Sequence, residues 1–192
     1  MRFDKGHKEQ TRRRIVETAA RRFRKEGVEA VGIAGLMADA GLTHGGFYAH
    51  FASKEELVRA ALEEASDQGR ERRCRLLDKG ENLEGLVRSY LRPVHRDTPE
   101  LGCAAAALIA EIARHEPETR TAFTARLGEL LRQFEAVLPA EMEHEQKTRR
   151  AIGIFAAMLG ALQMARAVTD PALSDKILES GIEAALALAN IG

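Results

Sequence analysis

The sequence predicts an all-α chain of about nine helices, and three observations support this fold class. Good helix formers (Ala, Leu, Glu and Arg) dominate the 192 residues, whereas runs of β-branched residues are scarce. Apolar residues recur at the three- and four-residue spacing of amphipathic helices. Glycines, prolines and capping residues separate these periodic segments. The length allows one large or two small domains with a hydrophobic core.

The N-terminal segment begins with two predicted helices. Residues 8–26 carry apolar side chains at helical spacing, and Gly27 supplies a C-terminal stop. Residues 33–40 form a shorter predicted helix, which Gly41 ends. The two helices are close enough in sequence to pack against each other.

A third helix is predicted over residues 43–51. Thr43 is expected to cap it, because its hydroxyl can accept a hydrogen bond from a free backbone N–H one turn later. Leu42 and Phe47 have the spacing of a hydrophobic staple across its first turn. The helix is brief, since residues 53–56 (Ser-Lys-Glu-Glu) form a capping box that starts another one.

The rest of the chain reads as a connecting helix followed by a helical body. Residues 94–102 are predicted to be a loop, because they contain Pro99 and Gly102. Asp170 and the proline after it cap and open the last helix. The sequence thus predicts a head at residues 1–53 and a body at 54–192. Helices are expected over 54–78, 83–91, 103–115, about 117–134, 145–168 and 171–190.

Charge is distributed unevenly, although the chain as a whole is neutral. Residues 1–51 hold ten Lys and Arg against six Asp and Glu, whereas the remaining residues hold nineteen against twenty-three. One interpretation is a basic head that meets a polyanion and an acidic body that does not. The other is a set of solvated helix faces.

Several classes of protein are disfavoured by composition. No run of eighteen or more apolar residues exists, so we expect no membrane span. Residues 1–8 lack the apolar core of a secretory signal, and Cys74 and Cys103 are too few for a disulfide framework. A cytoplasmic location is therefore expected. Because no metal-ligand cluster, nucleophile motif or phosphate loop is apparent, we expect no cofactor or metal, and an enzyme built on a helical bundle is disfavoured.

The helices at 33–40 and 43–51 have the spacing of a helix-turn-helix, in which the second helix enters the major groove of DNA. Gly45 and Gly46 remove side chains near its start and allow close approach to phosphates or bases. The alternative is a tight helical hairpin whose glycines merely permit packing. Hydrogen-bond donors around this surface are supplied by Thr43, His44, Tyr48, His50 and Lys54.

The run from Ala40 to Leu57, AGLTHGGFYAHFASKEEL, resembles the signature of the TetR family of bacterial regulators. The similarity begins near Lys8 and covers about the first 65 residues; its core, Tyr-x-x-Phe-x-Ser-Lys, is specific to the family. The resemblance implies an all-α homodimer with a three-helix DNA-binding head and a C-terminal body that senses a ligand and dimerises. Most members repress transcription, and a small ligand releases them from DNA.

The resemblance also assigns roles to positions in the head. His44 and Gly46 lie on the helix face that commonly reads bases. Gly32 and Gly35 depart from the family, whose members often carry a polar residue such as Thr or Ser there, so operator preference is not transferred. Positions that commonly touch DNA, mostly at phosphates, are occupied by Thr43, Gly45, Tyr48, His50 and Lys54.

The last two predicted helices carry small residues at four-residue spacing, which lets helices approach closely. The resemblance implies that helices 145–168 and 171–190 pair with their symmetry mates in a four-helix dimer interface. Packing within one chain is the alternative. The small residues are Gly153, Ala157, Gly160 and Ala161 on the first helix and Gly181, Ala185 and Ala189 on the second.

An effector pocket in the body is expected to be apolar, although core packing is the favoured role for each single candidate. Cys103 follows Gly102 at the start of a predicted helix, where the dipole favours a thiolate, so it is either an electrophile sensor or a small buried residue. His115 and Gln163 are candidate polar anchors. The candidate wall comprises Tyr90, Leu101, Cys103, Phe123, Leu127, Phe134, Met158, Leu162 and Met164.

The sequence therefore favours a ligand-responsive homodimeric repressor that binds a palindromic operator in double-stranded DNA. Binding of an apolar or electrophilic molecule would separate the two heads. A DNA-binding architectural protein without a ligand is the other interpretation, which a body without a cavity would favour.

Overall fold

The computed structural model describes residues 5–190, and every regular element in that range is helical, as predicted. Residues 1–4, the start of the segment in which we expect no secretory signal, lie outside the described residues. No helix within the described range has the length and apolarity needed to cross a bilayer. The α-helices are α1 (Lys5–Glu26), α2 (Ile33–Asp39), α3 (Lys54–Leu77), α4 (Leu83–Tyr90), α5 (Pro93–Asp97), α6 (Ala104–Ile112), α7 (Pro117–Glu135), α8 (His144–Ala167) and α9 (Pro171–Asn190).

Two 3₁₀ helices complete the described elements. His44–Ala49 lies between α2 and α3, and Pro99–Leu101 lies between α5 and α6. The predicted stops also hold: Gly27 and Gly41 adopt φ values of 85° and 68°, which glycine tolerates and other residues rarely adopt.

The prediction of a loop over residues 94–102 is wrong. Most of that segment is helical, comprising α5 and the 3₁₀ helix Pro99–Leu101. Each of these helices starts with a proline, whose fixed φ and missing N–H suit the first helical position. The prolines therefore begin new short helices here. The sequence analysis had predicted that they end helical structure.

The segment predicted as an α-helix over residues 43–51 is instead the 3₁₀ helix His44–Ala49, and the proposed Thr43 side-chain cap is wrong. Thr43 occupies the N-cap position in extended conformation, but its side chain makes no cap hydrogen bond. The Gly46 N–H, which a capping hydroxyl would normally engage, donates instead to the Thr43 carbonyl at 3.0 Å. The tighter i to i+3 pattern thus satisfies this donor through the backbone.

The capping box before α3 is confirmed. The Glu56 N–H donates to Ser53 Oγ at 3.1 Å. The Glu56 carboxylate in turn accepts from the Ala52 N–H at 2.7 Å, one residue earlier than the usual partner. Asp170 also caps α9, because its Oδ1 accepts from the Ala172 N–H at 2.9 Å.

Two hydrophobic cores organise the described chain. The head core is built by α1, α2, the first 3₁₀ helix and the first half of α3, and the body core by α4 and α6–α9. Helix α6 contributes to both: Leu108 and Ile112 pack in the head core, and Ala105 and Ala106 pack in the body core. The domain boundary between residues 53 and 54 stays a prediction, since α3 and α6 tie the two cores together.

The small residues of α8 and α9 serve partly to pack the two helices within one chain. A Cβ atom added at Gly181 would overlap the Ala161 methyl group, and one added at Gly153 would lie 3.6 Å from Leu188 Cδ1. The intramolecular alternative therefore accounts for these positions. Gly160 differs, because a Cβ added there would meet no atom within 4 Å in the described chain.

Candidate nucleic-acid interface and body cavity

The first 3₁₀ helix is anchored to the head by its aromatic side chains. Phe47 and Phe51 are buried, and their rings stack with centroids 5.7 Å apart. Tyr48 points the other way: 64% of it is exposed, with its ring edge-on to Phe47 at 5.2 Å and to His44 at 6.2 Å. Burial of the two phenylalanines thus fixes the direction in which His44 and Tyr48 face solvent.

The two glycines of this helix differ in what surrounds them. A Cβ at Gly45 would meet no atom within 4 Å, whereas one at Gly46 would make ordinary contact, 3.6 Å from Met37 Cε. Packing therefore does not require glycine at position 45. The alternative of a hairpin whose glycines only permit packing is not supported at this position, and an open exposed surface results.

Cationic side chains from α1 border this surface, and the sequence analysis did not single them out. Arg12 Cζ lies 4.7 Å from the centroid of the Phe51 ring. Burial, then the charges of Lys8 and Arg12, lowers the pKa of His50. The buried His50 Nδ1 has no hydrogen-bond partner in the described chain. The signal that could have found Lys8 and Arg12 is their four-residue spacing on one side of a helix.

The predicted DNA-contacting residues lie on or beside this surface. Thr43, His44, Gly45 and Tyr48 are exposed, whereas Gly46, His50 and Lys54 are half-buried. Lys54 is the first residue of α3. Its ammonium group and the backbone N–H groups of the first turn of α3 therefore lie close together, and both favour a phosphate.

The body contains a partly open cavity of about 370 Å³ between α3, α4, α5, α6 and α7, with Phe155 of α8 at its wall. Two predicted wall residues, Met158 and Leu162, lie instead in the body core, and Met164 is exposed. Neither suggested polar anchor faces the cavity: His115 Nδ1 pairs with a Glu55 carboxylate oxygen at 2.8 Å, and the Gln163 amide donates to the Ala106 carbonyl. The predicted residues that do line the cavity are Tyr90, Leu101, Cys103, Phe123, Leu127 and Phe134.

His95 is a cavity residue that the sequence analysis missed, because the segment holding it was taken for a loop. Its Nδ1 contacts the Tyr90 carbonyl at 2.7 Å, and its Nε2 accepts from the Cys103 N–H at 3.0 Å. This pair of contacts requires a neutral imidazole with its proton on Nδ1. Burial lowers the pKa of His95 to about 4.

Because the pKa of His95 is lowered in the folded chain, we expect the folded protein to lose stability in acid. The unfolded chain gains a proton at His95 near pH 6.5, while the folded chain resists protonation down to about pH 4, so stability falls as pH drops through this window. Between pH 7 and 5 we expect His95 to account for a loss of about 2 kcal/mol in the free energy of unfolding. Urea denaturation at both pH values measures this loss.

A His95→Gln variant should show a correspondingly smaller difference between the two pH values, even if it is less stable at pH 7. His144→Gln, at an exposed position, is the matched control and should retain the full difference. An unchanged pH difference in His95→Gln would show that this imidazole is not the group responsible.

Hydrogen bonds join helix α6 and the segment that precedes it to the head. The buried Arg24 of α1 donates to the Gly102 carbonyl at 3.0 Å and to Gln68 Oε1 at 2.9 Å. Burial lowers the pKa of Arg24 to about 10. At the other end of α6, the Glu111 carboxylate accepts from the Val28 N–H at 2.8 Å. Helix α6 is thus held to the head at both ends, and its first residues line the cavity.

Known proteins resemble this chain at two levels. The head, over residues 15–61, matches the family model described as bacterial regulatory proteins of the tetR family. The regulator YfiR of Bacillus subtilis, described as uncharacterised, is 31% identical over 90 residues, which cover 45% of this chain and 42% of YfiR. The regulator TtgR of Pseudomonas putida is 41% identical over 63 residues, 33% of this chain and 30% of TtgR. The match thus spans less than half the length of these curated relatives.

Solved structures resemble the chain over nearly its whole length. A TetR transcriptional regulator from Chloroflexus aurantiacus superposes with a TM-score of 0.78 at 25% identity, covering 96% of this chain and 97% of the other. Reduced E. coli NemR shares the fold at 22% identity, with a TM-score of 0.74 and coverage of 92% and 95%. The family signature lies in the head, and the shared fold extends through the body. Residues 15–61 thus match the TetR-family DNA-binding head, and the chain shares its fold with solved TetR-family transcriptional regulators.

Proposed function

We propose that the chain is a homodimeric repressor that binds a palindromic operator and is released from it by a small-molecule effector. The observation that carries this proposal is the pair of hydrogen-bonded links, through Arg24 and Glu111, between the head and the two ends of α6, whose first residues line the cavity. A protein that only binds DNA needs neither a cavity nor these links. The cavity of about 370 Å³ is within the size range of small-molecule sites, which disfavours the ligand-free architectural interpretation.

At the DNA, the exposed surface of the first 3₁₀ helix is proposed to face the major groove. His44 is the proposed base-reading side chain. The open space at Gly45, beside the half-buried Gly46, admits the DNA closely. Lys8 and Arg12 of α1 add positive charge beside this surface. Phosphate contacts are assigned to Thr43, Tyr48, His50 and Lys54, which surround it.

The dimer is proposed to form through α8 and α9. Large apolar side chains on these helices are solvent-exposed in the single chain: 50% of Ile152, 56% of Met164 and 46% of Leu173. Gly160 faces open space on the same helix as Ile152 and Met164. A second copy packed there would bury this apolar surface, and two-fold symmetry would present two heads to a palindrome.

Release requires that the effector bind one conformation of the body more tightly than the other. A molecule pressing on Leu101 or Cys103 acts next to the Gly102 carbonyl that holds Arg24. We infer that this displacement changes how α1 sits against α6 and thereby the spacing of the two heads. An electrophile reacting with the half-buried Cys103 thiol is one form that such an effector could take.

The proposal is tested by footprinting on DNA upstream of the coding gene. We expect protection of a discrete palindromic site, and a loss of affinity of about a thousandfold between 50 and 200 mM salt, because cationic side chains displace counterions from DNA. Fluorescence anisotropy over a salt series measures the slope. Uniform protection along the fragment, with equal affinity for random DNA, would contradict operator recognition.

The electrophile component is tested on the same operator complex with N-ethylmaleimide. Release of the wild-type protein and retention of Cys103→Ser on DNA would support it. Release of both proteins would show that alkylation at a site other than Cys103 is sufficient for release. Retention of both on DNA would exclude the electrophile component and leave a reversible ligand as the effector. Cys74→Ser, which removes the other thiol, is the matched control.

A further inference from the structure

The cavity wall combines a largely apolar surface with an excess of positive charge. Among the described residues that line the cavity, Glu129 is acidic, whereas five are arginines. The apolar part is formed by residues such as Phe123, Leu127 and Phe134. The arginines are Arg70, Arg72, Arg73, Arg92 and Arg126.

Two of these arginines are neutralised by carboxylates. Arg126 pairs with Glu129 at 2.9 Å, with Asp67 at 3.4 Å and with Glu63. Arg70 lies 3.5 Å from the Asp67 carboxylate. Their charges are therefore accounted for within the chain.

Arg72 and Arg73 differ, because in the described part of the chain no carboxylate lies within ion-pair distance of either one. Arg72 reaches the Gly102 carbonyl at 3.4 Å, and Arg73 donates to Gln133 Oε1 at 2.6 Å. A Cβ added at buried Gly69 would lie 3.2 Å from Arg73 Nη1 and 3.8 Å from Arg72 Nη2, so both guanidiniums lie against the same glycine. Burial lowers the pKa of both arginines. Half-buried like charges without a counter-ion are costly.

Two further groups favour negative charge at this wall. Helix α6 begins at the cavity, since Ala104 and Ala105 line it, and no side chain caps the free N–H groups of its first turn. The Tyr90 hydroxyl is buried without a hydrogen-bond partner in the described chain. Burial raises the pKa of Tyr90, so the phenol stays protonated and can donate to an anion.

From this arrangement we propose that the cavity binds an anionic amphipathic small molecule, with its acid group at Arg72 and Arg73 and its apolar body against Phe123, Leu127 and Phe134. A carboxylate or a sulfonate on an aromatic or aliphatic skeleton has the required chemistry. The inference rests on the proposed function in that the cavity is taken as the effector site. It adds the chemical class of the effector.

The test uses two fluorescent probes that share a skeleton and differ in one charge: anilinonaphthalene sulfonate and the neutral phenylnaphthylamine. We expect the double variant Arg72→Gln/Arg73→Gln to bind the sulfonate about tenfold more weakly and the neutral probe within about twofold of wild type, because only the sulfonate loses charge-assisted hydrogen bonds. Arg75→Gln on the same helix is the matched control, since Arg75 is exposed and pairs with Glu71. Equal loss for both probes, or no loss for the sulfonate, overturns the proposal.

A second measurement uses the wild-type protein and does not depend on how the variant folds. Decanoate should displace the bound sulfonate at a concentration about tenfold lower than decanamide, which has the same chain without the charge. Equal displacement overturns the inference. The effect of decanoate on operator binding is measured separately. If decanoate displaces the sulfonate selectively but does not alter the operator complex, the anion site is supported and only its role in release is contradicted.

Discussion

Replacing Tyr48 with alanine is expected to weaken binding to all DNA sequences by ten- to a hundredfold, about 1.4 to 2.8 kcal/mol. The ring is held edge-on by buried Phe47 and is 64% exposed, so its hydroxyl is presented to a phosphate at little entropic cost. Lys54→Ala should act similarly and reduce the slope of log affinity against log salt by about two, one for each Lys54 of the proposed dimer. Fluorescence anisotropy with operator and random duplexes over a salt series measures both effects.

The controls separate anchoring from sequence reading. Lys176→Ala removes an exposed cation from α9, far from the head in sequence, and should leave DNA binding unchanged. His44→Ala should reduce affinity for the operator more than for random DNA, because its side chain is the proposed base reader. Equal losses on the two duplexes for His44→Ala would count against base reading. A Tyr48→Ala protein with wild-type affinity would remove Tyr48 from the interface.

The head could be predicted from the sequence because its signals are local. Glycines with positive φ at positions 27 and 41 and the capping box at Ser53 each act within one helical turn. The 3₁₀ geometry of His44–Ala49 was not predictable in the same way. Spacing that fits an α-helix over so few residues also fits the tighter helix, and a backbone hydrogen bond to Thr43 decided between them.

The cavity was only partly predictable because its chemistry depends on long-range packing. Aromatic and aliphatic wall residues could be guessed as apolar positions in a helical body. The charges could not, because Arg72 and Arg73 look like ordinary solvated residues of a polar helix. Only the folded chain brings Gly102 to Arg72 and Gln133 to Arg73. His95 was missed for a related reason, since its role depends on the short helix α5, which Pro93 starts.

The small-residue pattern of α8 and α9 shows a different limit. The same spacing supports close packing within a chain and between chains. The structure assigns Gly181 and Ala161 to contact within the chain, because a Cβ at Gly181 has no room. Gly160 and the exposed Ile152 and Met164 remain without a partner in the described chain, so they are the positions at which a dimer can be tested.

A double variant Ile152→Glu/Met164→Glu is accordingly expected to be a folded monomer that binds a full palindromic operator about a hundredfold more weakly than wild type. Both side chains are at least half exposed in the single chain, so carboxylates there leave the fold intact but would be buried unpaired in a dimer. Two linked heads bind the second half-site at a high effective concentration, and separate heads do not. Light scattering at micromolar concentration gives the oligomeric state, and anisotropy gives the affinity.

Two comparisons make this result specific to dimerisation. Ala110→Glu adds a carboxylate at an exposed position of α6 and should change neither mass nor affinity. Binding to a single half-site should be the same for the double variant and wild type, because the head is untouched and only the linkage between heads is lost. A double variant that remains dimeric would exclude this face of α8 as the interface. A wild-type protein that is itself monomeric at micromolar concentration would contradict the dimer. The expectation of a palindromic operator would then have no basis, because it follows from the two-fold symmetry of a dimer.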